Sequence, residues 1–89
     1  MKVPFSRFVV CDRSMESAFL QGDHVLTFNW KKPQIGDVIV FEFGKIYKIK
    51  RAVKTSADLI FVAGDNRRVS SRVGPIEVSK IIGKVILKY

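Results

Sequence analysis

Short apolar runs of about six residues alternate with turn-forming residues along the whole chain. The turns fall at Gln21-Gly22-Asp23, Lys32 to Asp37, Phe43-Gly44-Lys45, Thr55 to Asp58 and Gly64-Asp65-Asn66. Between them the β-branched and aromatic residues predict strands near 6–11, 24–29, 37–43, 46–54, 58–63 and 82–88. Helical spacing is confined to Ser14–Leu20, where Met15, Ala18 and Phe19 recur at i, i+3 and i+4, with a second helical turn at Glu77–Lys80. This pattern predicts an all-β fold: a compact antiparallel sheet, partly closed into a barrel to hide its edges, with one or two short helical turns.

One predicted strand breaks the apolar rule. Alternation sends Ile46, Lys48, Lys50 and Ala52 to one side, and Tyr47, Ile49, Arg51 and Val53 to the other. Neither side is cleanly apolar, so cations are interleaved with residues that favour burial. A strand with a purely structural role avoids this arrangement.

The 89 residues carry no repeat and no linker, and read as a single domain spanning 1–89. No apolar run approaches the roughly 18 residues that span a bilayer, and no leader-type segment follows Lys2 and Arg7. The expected location is therefore cytoplasmic or peripheral to a membrane. The lone Cys11 excludes an internal disulfide, and with one histidine besides it no metal site is expected. Sixteen Lys and Arg against eight Asp and Glu give a net charge of +8. That excess favours anionic partners, such as an anionic membrane or nucleic acid, and equally suits a solvated surface.

Candidate chemistry is scarce. His24 reads as a strand-end residue, the aspartates sit at turns where they cap the backbone, and no glycine-rich phosphate loop is present. What remains is a serine paired with a lysine base. A free lysine titrates near 10.4, so it accepts a serine proton only when burial among apolar groups lowers its pKa. Lys50 has Ile49, Ala52 and Val53 as sequence neighbours. Ser14 stands at a strand-to-helix corner, where a serine also commonly serves as a helix N-cap.

Four segments in order resemble the signal peptidase I family of serine–lysine peptidases. Val9 to Asp23, with Ser14-Met15 and Gly22-Asp23, is similar to the nucleophile box. Pro33-Gln34-Ile35-Gly36-Asp37-Val38-Ile39-Val40-Phe41 resembles the following strand, and Tyr47-Lys48-Ile49-Lys50-Arg51-Ala52-Val53 the general-base strand. Gly64-Asp65-Asn66-Arg67, Ser70-Ser71-Arg72-Val73-Gly74-Pro75-Ile76 and Ile82-Gly83-Lys84 resemble the closing box. Absence of the large accessory insertion brings the chain nearest the compact branch, similar to the maturation proteases of nickel superoxide dismutase.

The resemblance implies a serine endopeptidase that removes an N-terminal leader from a peptide or precursor protein after a small residue, without a cofactor. Ser14 would be the nucleophile, its backbone N–H an oxyanion donor, and Lys50 the base. Val10, Cys11, Met15 and Ile49 would bind substrate, and Asp65, Asn66, Ser70 and Arg72 would brace the site. Two positions depart from the pattern: Ser17 stands where proline is usual, and Asp12 where glycine or serine is usual. An aspartate beside a developing oxyanion would slow turnover unless it points away. Two other readings compete. One is a weakly active or inactive relative that binds peptides. The other, ranked last, is a basic barrel that binds nucleic acid through Phe28, Trp30, Lys31 and Lys32.

Overall fold

A computed structural model describes residues 4–11, 13–16, 18–29, 32–66 and 74–89. The strands are β1 Phe5–Val9, β2 His24–Phe28, β3 Val38–Phe43, β4 Ile46–Ser56, β5 Leu59–Ala63, β6 Ile76–Glu77 and β7 Ile81–Lys88, with a 3₁₀ turn at Val78–Lys80. They form one antiparallel sheet in the order β1-β2-β7-β3-β4-β5-β6. The sheet curls without closing. The Phe8 ring on β1 reaches the Tyr47 ring on β4 at 5.3 Å, although three strands separate the two in the sheet order.

Five expected strands fall within about two residues of their observed bounds, and β1 covers Phe5–Val9 in place of 6–11. The two-residue β6 has no alternation to announce it. Beyond β1, Val10 still donates to the Asp23 carbonyl (2.8 Å) and accepts from Gly22 (2.7 Å), which closes the base of the 10–23 loop.

The expected helix over Ser14–Leu20 is not formed among the described residues of that segment, which are turns and bends. Among the described residues a single i→i−4 bond survives there, Phe19 N–H to the Met15 carbonyl at 2.8 Å. The physical reason lies in competing partners. The Ser14 carbonyl, which in a helix would serve the residue four positions on, instead accepts the Asn66 N–H at 2.7 Å. The Leu20 N–H is likewise taken by Asp23 Oδ2 at 2.8 Å.

β3 is buried on both faces. Ile39 and Phe41 join Ala52, Ile60, Val62, Ile76 and Ile81 in one cluster, while Val38 and Val40 join Val10, Met15, Val25 and Ile49 in a second. An uninterrupted apolar run, Val38 to Phe41, is what a doubly covered strand requires. Gly83 on β7 permits the close crossing at β2, because a Cβ there would lie 2.9 Å from the Phe28 carbonyl oxygen. No helix among the described residues is long and apolar enough to cross a membrane.

Candidate active site

Ser14 sits in the loop that closes at Val10 and Asp23, and Lys50 sits mid-strand on β4, opposite Ile39. Both residues are buried, at 4% and 2% exposure. Burial of a serine alone is unremarkable. Burial of a lysine in a small β domain is rare, because the ammonium loses its hydration.

The corner Asp65–Asn66, just past β5, ties the two together. On one side Asn66 N–H donates to the Ser14 carbonyl, and its Nδ2 donates to the Arg13 carbonyl at 3.0 Å and to Glu16 Oε1 at 3.4 Å. The Asp65 N–H faces the Met15 sulfur at 3.5 Å. On the other side, Asp65 accepts two hydrogen bonds from Arg51, the residue after Lys50, at 2.9 and 2.8 Å. Arg51 also donates to the Gly36 carbonyl at 2.8 Å. The hydrogen bonds from Arg51 to Asp65 hold the guanidinium's pKa above its ordinary value. Glu16 clamps the same turn, accepting from Arg13 Nε at 3.2 Å.

A groove of about 480 Å³ opens nearby in sequence, lined by neither Ser14 nor Lys50. Phe8 to Cys11 form one wall, Ile46 to Ile49 the other, and buried Val25 and Val40 the floor. β5 pairs with β4 only from Arg51 to Ser56, and β1 pairs with β2. The groove therefore lies between two strand edges that carry no further ladder among the described residues. Edges of this kind can accept an added strand.

The sequence-based site residues divide accordingly. Val10, Cys11 and Ile49 line the groove. Met15 does not; it is fully buried beneath it, with Val10 and Ile49 as cluster partners. Asp65 and Asn66 brace the Ser14 turn. Ser70, Arg72, Asp12 and Ser17 lie outside the described residues, as do Trp30 and Lys31 of the nucleic-acid reading. Phe28 of that reading is half-buried with its ring 5.1 Å from Phe5. Glu16, Tyr47 and Phe8 escaped the sequence reading. The aromatic pair belongs to two strands far apart in the sheet order, and no local pattern announced it.

Among the described residues, no three His, Cys, Asp or Glu side chains gather to hold a metal ion. In sequence the chain matches no protein-family model and no curated protein.

Proposed function

We propose that the chain is a serine endopeptidase in which Ser14 attacks and Lys50 carries the proton. The carrying observation is the burial of Lys50, one residue from the Arg51–Asp65 pair whose corner also holds the Ser14 turn. Desolvation at that depth works against the ammonium, the form that cannot take the serine proton.

In this mechanism a substrate lies extended between the β1 and β4 edges, with a small residue against Val10 and Ile49. Ser14 Oγ attacks the scissile carbonyl carbon as its proton passes to Lys50 Nζ. The tetrahedral species collapses, the C–N bond breaks, and Lys50 returns the proton to the departing amine. A water molecule then gives Lys50 a proton and hydrolyses the acyl ester, and Ser14 recovers its hydrogen from Lys50.

The test is incubation with a panel of leader-type peptides that have a small residue before the cut, with products read by mass spectrometry. The wild type should cut at one bond and Ser14→Ala should not. Intact peptide in both samples, from folded protein, would favour a peptide-binding module without catalysis.

A further inference from the structure

We propose that the groove selects polypeptides carrying acidic residues a few positions from the cut, through Lys48 and Arg7. This rests on the peptidase reading of Ser14 and Lys50 and names the substrate class that reading leaves open.

Lys48 lines the groove wall, two residues from Lys50 along β4, which is about 7 Å at the rise of a strand. Its Nζ lies 4.6 Å from the centroid of the Phe43 ring, which holds a cation beside the groove without burying it. A second cleft of about 320 Å³ adjoins the first and is lined by Arg7, Phe8, Val9, His24 and Tyr89. The two clefts share Phe8 and Val9 and open on either face of β1, so an extended chain along the β1 edge offers alternate side chains to each.

Arg7 and His24 of the second cleft are neighbours by register. Val9 pairs with His24 and Arg7 with Leu26, which puts Arg7 and His24 diagonally across one face of the β1–β2 pair. The His24 ring stacks on Tyr89 at 5.5 Å, which fixes its plane. No Asp or Glu side chain lines either cleft among the described residues. The acidic residues of adjoining segments are placed elsewhere. Glu42 stands opposite Tyr47 on β3 without lining the groove. Asp23 accepts the Leu20 N–H and lies 3.9 Å from Lys88 Nζ.

Apolar walls take any extended chain with modest preference. Cations at the groove and at the adjoining cleft discriminate by charge. Contacts this exposed are individually weak, so the expected selection is roughly five- to tenfold between acidic and basic peptides.

The test uses three identically labelled peptides with two Glu, two Gln or two Lys placed three to five residues before the small residue. Binding to Ser14→Ala protein is read by fluorescence anisotropy, with circular dichroism to verify its fold. The Glu peptide should bind roughly five- to tenfold tighter than the Lys peptide, with Gln between them and the gap closing at high salt. Arg7→Glu combined with Lys48→Glu should invert that order. Lys80→Glu, beyond β6 at the opposite end of the sheet, should leave the order intact. Equal binding of the three peptides, no binding, or equal sensitivity to Lys80→Glu would overturn the proposal. Cleavage of the Gln peptide by wild type reports separately on catalysis. A cut Gln peptide with no charge preference sinks the selection alone. Ordered binding without any cut sinks the peptidase reading alone.

Discussion

The two clusters that flank β3 use the same residue types but are held together differently. In the cluster of Ile39, Phe41, Ala52, Ile60, Val62, Ile76 and Ile81, every member sits on a strand. Pleat alternation and ladder register fix each side chain. The cluster of Val10, Met15, Val25, Val38, Val40 and Ile49 takes Val10 and Met15 from the 10–23 loop. That loop is positioned by contacts from the Asp65–Asn66 corner, roughly fifty residues away in sequence. The first cluster can be repacked without touching Ser14. The second cannot, because Met15 is adjacent to it and forms part of its support. Ser14 is therefore supported from the loop cluster, whereas Lys50, paired with Ile39, stands on the side of the all-strand cluster.

Four variants test that division, from the largest effect to the smallest. Phe41→Ala empties the centre of the all-strand cluster and should cost about 3–5 kcal/mol in chemical denaturation. Since β3 belongs to both clusters, the loss should appear as one cooperative transition; two transitions would show that the halves fold separately. Met15→Ala should cost about 2–4 kcal/mol and, in conditions where it is folded, should lower kcat as well. A Met15→Ala protein with wild-type kcat would remove the proposed link between the loop cluster and the site. Asp65→Asn keeps the shape of the corner but weakens the two bonds from Arg51. The pair is partly exposed, so its loss should cost only about 0.5–1 kcal/mol, with the greater effect on cleavage rate. The reverse pattern would make Asp65 a stability residue. At the far end of the sheet, Ala57 holds a φ of 51° in the β4–β5 turn. Ala57→Gly should raise stability by up to about 1 kcal/mol by relieving left-handed strain, and cleavage should not change.

The contrast also explains what the sequence made legible. β2, β3, β4, β5 and β7 could be read within a residue or two, because runs of β-branched and aromatic residues bounded by turn residues are local signals. The uneven lysine pattern of β4 could be read too: Lys48 is half-exposed over Phe43, while Lys50, two residues on, is buried. The Ser14–Leu20 segment misled for a physical reason. Its apolar spacing is helical, but the partners of its carbonyl and amide groups, Asn66 and Asp23, are specified by tertiary placement. Met15 misled in the same way. As the residue beside the nucleophile it reads as a substrate contact, yet the Asp65–Asn66 corner presses it into the core. The Phe8–Tyr47 contact across the groove depends on the curl of the whole sheet, which no local pattern encodes.

The most direct test of the account is the pH dependence of cleavage for the wild type and for Lys50→Met, with stability followed in parallel. The wild-type rate should rise with pH as Lys50 loses its proton, through an apparent pKa well below the roughly 10.4 of a free lysine. Lys50→Met, which has no group to accept the serine proton, should cut nothing while remaining folded. A Lys50→Met protein that cuts at the wild-type rate, or a wild-type rate that is flat across pH, would contradict the assignment of Lys50 as the base.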